Sequence, residues 1–126
     1  MHKSKLAGFI IDCQTDDLAG AATFWAAALG MPLRELPGEE GQKYMRLLDP
    51  TANLHDEVQR VTHASRVHLD IETDDLEAEV IRLQALGATP VQRVHTWCVM
   101  QAPTGQRFCV VARSSPRFDT EANRWE

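Results

Sequence analysis

His68 and Asp70 stand two residues apart in the apolar stretch Val67-His-Leu-Asp-Ile71. Residues i and i+2 of an extended strand share a face, so an imidazole and a carboxylate are set side by side. Such a pair can move protons near neutral pH, because histidine titrates there and a carboxylate orients it. Asp12 occupies the matching place in Phe9-Ile-Ile-Asp-Cys13. Two carboxylates converging on His68 would raise a carboxyl pKa and supply an acid or base. The plainer expectation for Asp12 and Asp70 is structural: a strand hydrogen bond, or a pair with Arg66 or Arg60. Cys109, in Phe108-Cys-Val110, could attack an electrophile only with a base such as His68 beside it and a lowered pKa; a passive thiol is the commoner case. Trp97, Met100 and Phe108 alternate with smaller residues, which suits either an apolar pocket or the core. Arg93 and Arg107 could hold an anionic substrate or simply face solvent.

The elements that must position these residues come in two copies. Phe9-Ile-Ile-Asp-Cys-Gln-Thr-Asp-Asp-Leu18 is answered by Val67-His-Leu-Asp-Ile-Glu-Thr-Asp-Asp-Leu76, and Ala28-Leu-Gly30 by Ala85-Leu-Gly87. Each copy reads as an apolar strand stopped at Thr-Asp-Asp, whose side chains cap a following helix. The first helix runs from Leu18 to Leu29, with Phe24 and Trp25 as its bulk. The second places Leu76, Val80, Ile81 and Leu83 at helical spacing, with Glu77, Glu79 and Arg82 polar. Gly30 and Gly87 suit the left-handed residue that ends a helix. Strands are expected near Leu33–Leu36, Lys43–Leu48 and Glu57–Val61 in the first copy, with Asp49–Asp56 as a polar loop. In the second they fall at Val91–His95, Trp97–Gln101 and Phe108–Ala112, with a turn at Pro103-Thr-Gly-Gln106. Strand parity puts Phe9, Ile11 and Cys13, and likewise Val67, Leu69 and Ile71, under the helices. The other face carries Ile10 and Asp12 in one copy, and His68, Asp70 and Glu72 in the other.

Composition narrows the function classes. The chain has 126 residues, 44% of them hydrophobic and 25% charged, with a formal net charge of -5. That is ordinary for a folded domain, and an acidic surface disfavours a phosphate backbone, so nucleic acid is not an expected partner. No apolar run reaches the length of a membrane span, and Met1–Lys5 has no signal-like apolar region, so the expected location is the cytoplasm. The three cysteines, Cys13, Cys98 and Cys109, form no C-x-x-C pair and read as free thiols.

The duplicated strand-Asp-Asp-Leu-helix unit, Phe24-Trp25 before Leu29-Gly30, the His68-Leu-Asp-Ile-x-x-Asp-Asp-Leu76 run and Ala102-Pro-Thr-Gly-Gln-Arg-Phe-Cys-Val110 together resemble the glyoxalase-like, or vicinal oxygen chelate, superfamily. The resemblance implies an α+β fold of two tandem βαβββ modules, about residues 6–61 and 66–112. Together they would form a single domain with an open eight-stranded cleft and helices on the convex side, followed by a tail at 113–126. It also implies a small-molecule ligand and a homodimer. Many members hold a divalent metal with four side chains, and these positions fall here on Ile10, Gln59, His68 and Cys109. Isoleucine cannot ligate and an amide ligates poorly, so no cofactor is expected; a divalent metal on His68, Cys109 and Gln59 is the alternative.

The first functional expectation is therefore a metal-free small-molecule-binding protein, comparable to resistance-type relatives, with Gln59, Trp97, Met100, Phe108 and Cys109 lining the pocket. The second is a lyase, isomerase or dioxygenase relative, working through a metal on His68 with Cys109, Gln59 or one of the aspartates, or through acid–base chemistry of His68 with Asp12 or Asp70. A third gives the tail, through Phe118 and Trp125, a role in docking on a partner. His2, His55, His63 and His95 carry no expected role.

Overall fold

The computed structural model describes residues 1–126. The strands and helices are β1 (His2–Gln14), α1 (Leu18–Leu29), β2 (Leu33–Glu35), α2 (Glu40–Lys43), β3 (Tyr44–Leu48) and β4 (His55–Val61). They continue as β5 (Arg66–Thr73), α3 (Leu76–Ala85), β6 (Thr89–Val94), β7 (Trp97–Gln101), β8 (Arg107–Ala112), α4 (Phe118–Glu121) and β9 (Asn123–Trp125). The α+β class and the doubled βαβββ order expected from the repeat are both present. Within each copy the strands take the same order, β2-β3-β4-β1 and β6-β7-β8-β5. The first strand of each copy runs parallel to its last, and the other pairs are antiparallel. Two compact units result: Phe9–Val67, and His68–Glu126 together with Met1–Gly8. No helix is long and apolar enough to cross a membrane.

In the Phe9–Val67 unit, α1 starts where Asp17 accepts the Gly20 N–H at 2.9 Å and ends at Gly30 with φ 67°. An alanine-rich helix approaches its sheet closely, and Ala22 is fully buried against Ile11, Met45, Leu47 and Val58. Phe9, Cys13 and Trp25 pack around that cluster, as strand parity requires. Burial raises the Cys13 thiol pKa, which leaves it a packing residue.

The Asp49–Asp56 loop is shorter than expected. Asp49 folds it back by accepting the N–H groups of Thr51, Asn53 and Leu54, and β4 begins at His55. Asp56 is consequently a buried strand residue whose Oδ1 accepts the Phe9 N–H at 3.0 Å. Burial pushes its carboxyl pKa up, and the Phe9 hydrogen bond only partly opposes this. A raised folded pKa means that the folded state binds the proton more tightly than the unfolded chain, so this group loses stability as pH rises through that window. Asp56→Asn keeps the acceptor and removes the charge. It should be equal to or more stable than the parent at pH 7, within about 1 kcal/mol, by urea unfolding, with any gain vanishing in acid. A large loss at pH 7 would refute this account.

In the other unit α3 is capped by Asp75, which accepts the Ala78 N–H at 3.1 Å. Val80, Leu83, Ala88, Cys98, Met100 and Val110 form its core, with Ile71, Leu76 and Phe108 at the margin. Three expectations change here. Ile81 is 65% exposed, because the buried stripe follows Leu76, Val80 and Leu83 at i, i+4 and i+7, and Ile81 lies a step round the helix. Glu79 is fully buried instead of solvated. Val67 and Leu69 are 58% and 51% exposed: ten helical residues span about 15 Å, short of the roughly 26 Å of an eight-residue strand, so α3 covers Ile71 but not the start of β5.

The tail also differs from expectation, forming α4 and β9 on its own chain. Phe118 is fully buried beneath the Arg113 guanidinium, whose carbon lies 4.6 Å from the ring centre. β9 pairs antiparallel with the start of β1, His2 opposite Trp125. The Trp125 indole N–H donates to Ser4 Oγ at 2.8 Å, and Arg82 stacks 3.9 Å from its ring centre. Phe118 and Trp125 are thus intramolecular anchors, Phe118 with no surface left for a partner and Trp125 half-buried. Beneath Trp125, Glu79 receives two hydrogen bonds from Arg82 and contacts His2 Nε2, each at 2.8 Å. This explains how a carboxylate is tolerated in the interior.

Candidate functional site

The face of β5-β8-β7-β6 turned away from α3 carries the reactive residues. In parallel β5 and β8 Asp70 is paired with Cys109 and Glu72 with Val111; across β8 and β7 Cys109 faces Val99 and Arg107 faces Gln101. Paired residues share a face, so His68, Asp70, Glu72, Arg107, Cys109, Val99, Gln101 and Trp97 belong to one side. One ligand atom each from His68, Asp70 and Cys109 lies within 4.8 Å of the other two. His68 Nε2 is 3.5 Å from Asp70 Oδ1, and that buried oxygen accepts no hydrogen bond. Glu72 is fully buried and its Oε1 accepts the Ser115 N–H at 3.1 Å, which ties the start of the tail to the site strand.

The same parity divides the expected pocket. Trp97 and Cys109 lie on the His68 face, whereas Met100 and Phe108 pack in the core beneath α3. Trp97 and Met100 are three residues apart on one strand, an odd step, so they cannot line the same side. Cys98 is likewise in the core, where burial raises its thiol pKa. Arg93 reaches the helix side and pairs with Glu77 at 2.6 Å.

Asp12 and Gln59 are cross-strand neighbours in the Phe9–Val67 unit. Asp12 is buried, and its Oδ2 lies 3.6 Å from Arg66 Nε. The Gln59 amide donates to Tyr44 Oη at 3.0 Å, and Ile10 is a buried apolar residue. Of the donors expected beside His68, the carboxylate Asp70 and the thiol Cys109 are brought together with it. Asp70 joins His68 and Cys109, and its alternation with His68 in the sequence was the signal for that grouping. A histidine, a thiol and a carboxylate together suit zinc or a similar borderline ion and not magnesium. The orphaned Asp70 oxygen, at a spacing typical of neighbouring ligands, fits such an ion.

A family model of the glyoxalase-like domain matches residues 8–111. The chain belongs to the glyoxalase-like domain family and has the vicinal-oxygen-chelate fold. Among solved structures it is similar to a hypothetical protein from Bacillus halodurans, at 12% identity and TM-score 0.63, covering 88% of this chain and 95% of that one. A structure described as NAD-dependent benzaldehyde dehydrogenase from Legionella pneumophila is similar at 9% identity and TM-score 0.61, covering 84% and 99%. Methylmalonyl-CoA epimerase from Mycobacterium tuberculosis is similar at 16% identity and TM-score 0.57, covering 86% and 87%. At these identities the likeness is one of fold. No curated protein sequence matches the chain.

Proposed function

We propose that this chain is a small-molecule-binding protein of the glyoxalase-like family, whose ligand lies on the sheet face bearing His68, Asp70 and Cys109. The observation that carries this reading is the convergence of those three polar groups beside Trp97 and Val99, an apolar surface with a few directed polar atoms. Solved epimerases of the same fold hold CoA derivatives such as 2-nitronate-propionyl-CoA, which supports a small-molecule role without naming this ligand. The usual four-residue metal set is broken by Ile10 and by the engagement of Gln59 with Tyr44, which favours metal-free binding. A homodimer belongs to the same reading, since the exposed Leu69, Ile81 and Leu86 are apolar surface that a second copy would cover.

A second reading rests on the three-donor cluster. His68, Asp70 and Cys109 would hold a zinc-like ion, which when bound supplies a Lewis acid to a ligand oxygen. Without an ion, the same His68–Asp70 pair, 3.5 Å apart, can hold and pass a proton to a bound molecule. Metal analysis of protein purified without chelator, with thermal melts after adding zinc, manganese, nickel or iron(II), separates the readings. Under the metal-free reading the metal content is far below stoichiometric and the melts coincide. A near-stoichiometric ion, lost in His68→Ala together with its melt shift, would put the metal-dependent reading first. In either case His68→Ala should retain the fold and abolish ligand-induced shifts in a small-molecule screen; unchanged ligand shifts would remove His68 from the site.

A further inference from the structure

Arg107 opens β8 on the face of Cys109, opposite Gln101. The β5–β8 register pairs Leu69 with Phe108, so one step earlier His68 and Arg107 stand together on the opposite side. Four other arginines of this unit are neutralised, Arg82 by Glu79, Arg93 by Glu77, Arg113 by Asp119 and Arg117 by Glu121, while Arg124 is exposed to water and donates to Met1 Sδ. Arg107 is half-buried, and its partner is a neutral amide, Nε–H donating to Gln101 Oε1 at 3.1 Å. A guanidinium taken partly out of water without a counter-charge is costly. Gln101 nevertheless fixes the plane of the group by its inner nitrogen. The two terminal nitrogens are left as the donor fork that arginine presents to a carboxylate or phosphonate. Farther along the same face come Val99 and Trp97, both half-buried.

We propose that Arg107 is an oxyanion-binding subsite, and that the ligand of the His68 face has an apolar or aromatic body with a carboxylate or similar oxyanion at one end. This rests on the ligand-face reading above and adds the charge class of the ligand. Trp97 and Val99 take the body, Arg107 takes the anion, and the neighbouring His68 then faces the atoms next to the anionic group.

The test uses the full chain labelled with 15N and three probes: phenylacetate, phenylphosphonate and the neutral phenylacetamide. The Arg107 Nε–Hε and Trp97 indole signals report binding directly. Saturable shifts of both signals with phenylacetate or phenylphosphonate, at least tenfold tighter than with phenylacetamide, are expected. The two acids show which oxyanion the subsite prefers. Arg107→Gln should erase the tenfold preference and Arg107→Lys should restore part of it, each with an otherwise parental spectrum. Equal affinity for acid and amide, or an unchanged preference in Arg107→Gln, would overturn the subsite. Continued Trp97 shifts would in that case leave the ligand face standing. No shift at Trp97, His68 or Arg107 with any probe would count against both.

Discussion

Phe118→Ala should destabilise the protein by about 3–5 kcal/mol, the usual cost of emptying a fully buried phenylalanine site, and a large share of the total for a domain of this size. The side chain has no solvent exposure, and the Arg113 guanidinium lies over its ring, itself held by Asp119 at 2.6 Å. Urea unfolding at neutral pH measures the cost. A loss below about 1 kcal/mol would mean that the tail is loosely attached and that Phe118 is available to other molecules. Truncation before Ser114 should be at least as damaging, because it also strips the N–H groups of Ser114 and Ser115 from Glu72 Oε1. That oxygen would then lose both of its donors, on the strand that carries His68 and Asp70.

The second large effect centres on Glu79. Burial drives its carboxyl pKa up, but hydrogen bonds from Arg82, Ser4 and His2 outweigh burial and hold it below the ordinary glutamate range. Glu79→Ala would leave the Arg82 guanidinium and the His2 ring without their acceptor. Because Arg82 retains some contact with water, the expected loss is about 2–3 kcal/mol, under the full cost of breaking a wholly buried pair. Because the folded pKa is depressed, the carboxylate's stabilisation is complete above the unfolded value of about 4.3 and is lost as pH falls through the folded value. The stability gap between parent and Glu79→Gln should therefore be widest near neutrality and close in acid. A gap independent of pH would show that shape and packing, and not charge, are what Glu79 provides.

The strands and helices were legible because both copies state them in local chemistry: Thr-Asp-Asp caps, alternating apolar residues, and glycines after Leu29 and Leu86. The Ile11 face was legible for the same reason, since it lies wholly under α1. What parity could not show was how far each helix reaches, and so Val67 and Leu69 were assigned cover that ten residues of α3 do not supply. Glu79 and Phe118 were misplaced for a different reason. Glu79 is buried against His2 and Ser4, brought by tertiary folding from far along the chain, and Phe118 lies in a stretch with no period to show which way it faces. At the candidate site, His68 and Asp70 could be grouped from their own strand. Cys109 was grouped with His68 only by resemblance, and the register between β5, β8 and β7 was needed to place it beside Asp70 and to put Phe108 on the opposite face.

The division of β1 has a consequence for the order of folding. Met1–Gly8 belongs with His68–Glu126, while the rest of the strand belongs with Phe9–Val67. During synthesis the Phe9–Val67 segment can gather its own core as soon as β4 has emerged. The earlier residues His2–Ser4 must wait for Thr73, Asp74 and Glu79, which meet Lys3 and His2 from about seventy residues further on, and then for β9. Closing so long a loop is entropically late, so the strand zips from its middle towards its beginning. Until those partners arrive, its first residues present an unpaired edge of the kind that invites pairing with a neighbouring nascent chain.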